Sequence, residues 1–227
     1  MKKRVTLTLA LRDEPFFHGM DEEAVARIEA FVYHREYEPR QIVFFPDDPC
    51  DYAYWVREGR VKITQVSREN RELTYFHLTA GDFFGEKCLG NAARRENYAE
   101  AMDATTLCLM RADDVRRIAG EEAEFARRMA QSLCGRVTEM ERLLSEMAFQ
   151  SVRSRVASGI LRLYRREVEG NSATLRVTHQ ELANLVGSTR ETTTAVLHEL
   201  REHGVIEIAN RRLTVVNANG LQNLAQE

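Results

Sequence analysis

Between Thr178 and Leu200 the chain reads Thr-His-Gln-Glu-Leu-Ala-Asn-Leu-Val-Gly-Ser-Thr-Arg-Glu-Thr-Thr-Thr-Ala-Val-Leu-His-Glu-Leu, and the spacing of its apolar residues permits few folds. Leu182, Leu185 and Val186 predict a short helix with one apolar stripe, and Ala183 is small where a second helix has to cross closely. Gly187 supplies the backbone freedom that a tight turn between two helices needs. Thr193, Val196, Leu197 and Leu200 then follow i, i+3, i+4, i+7 spacing and are expected to point inward.

That leaves Arg190, Glu191, Thr194, Ala195 and His198 on the open face of the second helix. An arginine at a helix start can fork onto O6 and N7 of guanine, a glutamate can accept from N4 of cytosine, and Thr or Ala methyls can touch the thymine methyl. These are the residue types of a major-groove reader. Glu191 has a second role open to it, because Ser188 three residues earlier would complete a capping box that only closes the helix. The expected DNA-contacting set is Thr178, Ser188, Thr189, Arg190, Glu191, Thr194, Ala195, His198 and Arg211.

The segment Gly187-Ser188-Thr189-Arg190-Glu191-Thr192, followed by Val196-Leu197, resembles the recognition helix of the Crp/Fnr family of transcription regulators. Upstream, Thr79-Ala80-Gly81-Asp82-Phe83-Phe84-Gly85-Glu86 resembles the glycine-punctuated turn that opens that family's effector pocket. Met147-Ala148-Phe149 resembles the junction that ends its central helix. The resemblance runs in order from about Phe16 to Val216. It implies a homodimer on a palindromic double-stranded DNA operator, contact with RNA polymerase, and activation rather than repression of transcription.

Three zones follow along the chain. Short apolar runs at Gln41-Ile42-Val43-Phe44-Phe45, Tyr52–Val56, Arg60–Val66 and Leu73–Leu78, cut by Pro46-Asp47-Asp48-Pro49, Glu58-Gly59 and Ala80-Gly81-Asp82, predict an antiparallel barrel or jelly roll. By resemblance this is the cyclic-nucleotide-binding-like domain, residues 1–120, with Gly59, Gly81 and Gly85 at its turns. A long helix from about Glu121 to Met147 is predicted next, residues 121–148. Its Leu133, Val137, Met140, Leu144 and Met147 repeat at +4, +3, +4, +3, a coiled-coil seam expected to pair two chains rather than to pack on the chain's own barrel. Residues 149–227 supply three helices and then Val205–Val216, two short strands about a polar turn. This is the hairpin of a winged helix-turn-helix, with Arg211 and Arg212 placed either to meet phosphate or simply to face solvent. The fold class is therefore α+β: jelly-roll barrel, dimerisation helix, winged helix.

Charge distributes accordingly. From Ser151 onward there are 10 Arg, no Lys and 8 acidic residues, a net of +2, while the remainder carries 22 basic and 27 acidic residues, a net of −5. A basic module joined to an acidic one suits a nucleic-acid reader attached to a sensor, though the tilt is small.

The resemblance places an effector pocket at Gly85, Glu86, Arg95, Glu96, Met140 and Glu141. A carboxylate and a guanidinium at Glu86 and Arg95 match the family positions that hold a ribose hydroxyl and a phosphate. An ion pair between the two under the barrel lid is the alternative. Glu96 follows the arginine where the cyclic-AMP receptors have a small hydroxylated residue, and its carboxylate would repel a phosphate. Met140 and Glu141 stand where those receptors place hydroxyls against adenine. A cyclic nucleotide is therefore disfavoured and no cofactor is expected.

No metal site is expected either. Cys50, Cys88, Cys108 and Cys134 form no C-x-x-C pair, and the histidines form no H-x-H pair. Cys88, near Glu86, is the one cysteine whose position suggests a thiol switch. No nucleophile elbow, P-loop or H-E-x-x-H occurs, so an enzyme is not expected. With no apolar run of membrane length and Arg12, Asp13 and Glu14 interrupting any leader, the chain is expected in the cytoplasm, away from membranes.

Overall fold

Turn residues every few positions in the N-terminal half break the chain into strands too short to pack alone, and they close on one another. The computed structural model describes residues 11–90, 93–168, 174–209 and 212–226. They divide into two compact units, one drawn from Met1–Gln65 and Tyr75–Thr138, the other from Val66–Thr74 and Glu139–Glu227.

In the first unit α1 (Glu22–Glu29) is capped by the Asp21 carboxylate, which accepts from Ala24 N. The strands are β1 (Tyr33–Tyr37), β2 (Ile42–Phe44), β3 (Tyr52–Glu58), β4 (Val61–Val66), β5 (Glu72–Leu78), β6 (Phe83–Phe84), β7 (Tyr98–Ala101) and β8 (Thr105–Arg111). They form two four-stranded sheets, ordered β1-β8-β3-β6 and β2-β7-β4-β5. The register described for β1/β8, β3/β8, β3/β6, β2/β7 and β4/β7 is antiparallel throughout, and the strands form a jelly roll.

Tyr54, Val56, Val61, Ile63, Phe84, Leu107 and Leu109 are buried together in one cluster. A second cluster gathers Phe16, Phe17, Trp55, Phe83 and Phe125, with Phe16 edge-on to Trp55 at 5.6 Å and to Phe125 at 5.8 Å. Burying each such ring stabilises the fold by roughly 1.5–3 kcal/mol.

The long helix begins later than its acidic run suggests. Glu121 ends α2 (Ala112–Glu121), Glu122 is extended at φ −114°, ψ 94°, and α3 runs from Ala123 to Phe149. Of Glu121, Glu122 and Glu124, the acidic residues near this start, only Glu124 lies in the first turn of α3, where hydrogen bonds from Arg127 and Arg128 hold its carboxyl down to about 2.

The second unit holds α4 (Val152–Val168), β9 (Thr174–Leu175), α5 (His179–Val186), α6 (Arg190–Glu202), β10 (Ile206–Ala209), β11 (Arg212–Val215) and α7 (Ala218–Leu224). Among the described residues four helices thus follow Phe149 where three were expected, because Asn217 caps an additional short one by accepting from Gly220 N. The wing also gains a strand, giving the order β10-β11-β9. Val156, Ile160, Leu182, Leu197, Leu200, Ile206 and Leu221 form its core.

Candidate functional site

The helix pair owes its shape to local signals. Thr178 caps α5: its hydroxyl accepts from Glu181 N, and the Glu181 carboxylate accepts from Thr178 N at 2.7 Å. The capping box therefore sits on α5 and not at Ser188 and Glu191. At the other end of α5, Gly187 adopts φ 61°, and Ser188 N reaches back to Ala183 O, a left-handed cap. A Cβ at Gly187 would also lie 2.8 Å from Met147 Cε. Arg155 on α4 closes the turn by donating from Nε to Val186 O at 3.0 Å.

Thr189, not Ser188, caps α6, accepting from Thr192 N at 3.2 Å. The helix starts at Arg190, and Thr193, Val196, Leu197 and Leu200 are buried. Thr189, Arg190, Glu191, Ala195 and His198 are exposed, and Ser188 and Thr194 are half-buried. Glu191 takes no part in a cap, so its carboxylate is free for another contact. Thr178 is exposed, but its hydroxyl is engaged with Glu181. Arg211 lies outside the described residues; its neighbour Arg212 is exposed on β11. Between α5, α6 and the wing opens a cleft of about 520 Å³, floored by Leu182, Leu197 and Leu213 and edged by His179, Arg190 and Arg212. Arg212 on that edge suits contact with a phosphate backbone.

In the barrel, Gly85 takes φ 83°, and a Cβ there would meet Tyr54 Cδ2 at 3.0 Å and Arg95 Nη1 at 3.1 Å. Only glycine lets the chain turn so close to that arginine. Glu86 and Arg95 do not pair with each other. Glu86 accepts from Arg136 of α3 at 2.7 Å, and Arg136 also donates to Phe83 O and lies over the Phe76 ring. Arg95 is 3% exposed, donates to the carbonyls of Gly85 and Tyr52, and lies 4.4 Å from the Phe44 ring centroid. Its Nε has no hydrogen-bond partner among the described residues.

The space left between Phe44, Phe76, Glu86, Arg95 and Arg136 is about 30 Å³. Glu96 is exposed, bonded to Lys87 and does not line this cavity, while Met140 and Glu141 are exposed on α3. Arg136 is the participant that sequence reasoning missed. Arg136 adjoins the seam residue Val137, and no spacing along the chain marks it as the partner of Glu86.

Burial pushes the Cys88 thiol up to about 11 and the Cys108 thiol to about 12, so neither is a ready thiolate. Among the described residues no His, Cys, Asp and Glu cluster could hold a metal ion, and no helix is long and apolar enough to cross a membrane. Along α3, Val137 is 58% and Leu144 70% exposed; Met140 and Met147 are exposed and Leu133 is half-buried.

Comparison with known proteins matches residues 34–122 to the cyclic nucleotide-binding domain and residues 154–224 to the Crp-like helix-turn-helix domain. The cyclic AMP receptor protein of Thermus thermophilus is 29% identical over 95% of this chain and 98% of its own length. The transcriptional regulator SdrP of the same organism is 32% identical over 82% of this chain and 90% of its own length. Among solved structures, the c-di-GMP responsive global regulator CLP of Xanthomonas campestris superimposes with a TM-score of 0.78. It is 26% identical and covers 86% of this chain and 99% of that chain.

Proposed function

Since the chain belongs to the Crp/Fnr family of transcription regulators, with a cyclic nucleotide-binding domain and a helix-turn-helix DNA-binding domain, we propose that it acts as a homodimeric activator on palindromic promoter sites without requiring cyclic AMP. The observation that carries this reading is the open face of α6. Arg190, Glu191, Ala195 and His198 are exposed on a helix whose other face is fixed in the core. Those groups match guanine, cytosine and thymine edges.

Pairing of two chains is supported by the exposed Val137, Met140, Leu144 and Met147, which leave an apolar seam in water unless a second α3 covers it. Two-fold symmetry then demands a palindrome. Contact with RNA polymerase and activation rest on the family. Promoter DNA titrated at several salt concentrations tests the reading: preference for one palindrome with steep salt dependence is expected.

Independence from a nucleotide is supported by the cavity, which at about 30 Å³ admits little more than a water, whereas ligand pockets span roughly 300–1,000 Å³. One observation favours a second reading, regulation by a cyclic nucleotide. Arg95 is a buried guanidinium whose Nε lacks a partner, and a phosphate would satisfy it. Operator affinity titrated with cyclic AMP and cyclic GMP separates the two.

A further inference from the structure

One side chain on the reading face of α6 is already committed within the protein. Thr194 is half-buried, and its Oγ1 lies 2.9 Å from Nδ1 of His179, the first residue of α5. The hydroxyls of Thr178 and Thr189, at the caps of the same two helices, have their own partners in Glu181 and Thr192. Hydroxyl and methyl branch from one Cβ in staggered wells, so fixing the hydroxyl toward α5 also fixes where the methyl points.

We propose that His179 is a positioning residue for base readout: by holding the Thr194 hydroxyl against α5, it makes the recognition helix present a methyl at this position of the major groove. The proposal rests on the DNA-binding reading above and deepens it. A free threonine hydroxyl pairs with donors and acceptors alike and so tolerates several bases, whereas a methyl selects thymine through its C5-methyl. His179 thus turns a permissive contact into a thymine-selective one. Burial, with His198 and Arg190 nearby, lowers the imidazole's pKa from its ordinary 6.5. At neutral pH the ring is uncharged, with one bare nitrogen and one N–H, and Nδ1 can bond the hydroxyl in either sense.

The test starts from the half-site selected out of a random duplex pool, with each thymine replaced in turn by deoxyuridine, which lacks the methyl. At one thymine per half-site the wild-type protein is expected to lose about fourfold in affinity, the worth of one buried methyl. Thr194→Ser, which keeps the hydroxyl and removes the methyl, should bind both bases equally there. His179→Ala should lose the same discrimination while its salt-dependent affinity for unrelated DNA persists. His179→Asn, which sets an amide near the position of Nδ1, should restore it, and Thr194→Val should keep it with or without His179.

The proposal is overturned if His179→Ala or Thr194→Ser retains the wild-type ratio. It is equally overturned if no thymine of a tightly bound site responds to deoxyuridine. Absence of any sequence-selective binding would instead remove the DNA-binding reading on which it stands.

Discussion

Arg190 opens α6 with its side chain in solvent and no partner in the core. Truncation to Ala should remove a bidentate guanine contact and cost on the order of 1–3 kcal/mol per half-site, confined to one base pair. Operator affinities of the variant on matched and substituted duplexes check this; Arg212→Ala, on the wing, should weaken all sequences about equally. Proton linkage gives a second outcome at this scale. Burial lowers the pKa of both His179 and His34 from 6.5, His34 also facing Arg57. Such an imidazole takes up its proton more readily once unfolded, so its contribution is complete above pH 6.5 and is lost as pH falls below it. Thermal unfolding should therefore shift to lower temperature on acidification below pH 6.5, with a smaller shift in the double variant His34→Asn, His179→Asn. The exposed face of α6 was legible because a 3.6-residue period assigns each position to a face without tertiary information. The partners of Glu86 and Thr194 were not, since Arg136 and His179 are brought to them by helix packing rather than by spacing along the chain.

The turn at Gly187 and the seam of α3 are the two elements on which the account depends most. At φ 61° a side chain is strained, and its Cβ would crowd Met147, so Gly187→Ala should destabilise the protein by about 1 kcal/mol or more, read from denaturant unfolding. On α3, Leu144→Glu places a charge where the seam is 70% exposed in one chain. Light scattering should find the wild type as a dimer and this variant as a monomer, because a carboxylate facing its own copy is both desolvated and repelled. Elements with strong periodicity or a glycine cap were readable from the chain. Among those that were not, β6 and β9 have two residues each and α7 has seven, too few to show a period. The start of α3 was misjudged for another reason. Acidic residues mark a helix beginning but equally the end of α2, and only the extended backbone at Glu122 separates them.

At the scale of the whole molecule, the two recognition helices of the proposed dimer have to meet successive major grooves about 34 Å apart. Inserting about five base pairs between half-sites should abolish tight binding by turning them to opposite faces of the duplex. The split between a net-acidic sensor region and a net-basic reading region was visible in composition. Whether the barrel holds space for an effector was not, because that space is set by where Arg136 and Arg95 settle among the rings of Phe44 and Phe76. The central claim is that this chain selects a palindromic site with no nucleotide present. Its most direct test is the equilibrium affinity of the nucleotide-free protein for the selected palindrome and for a scrambled duplex of equal length across a salt series. The account predicts a preference of about a thousandfold or more, with both affinities falling steeply as salt rises. Equal affinity for the two duplexes, or a preference that emerges only when cyclic AMP is added, would contradict it.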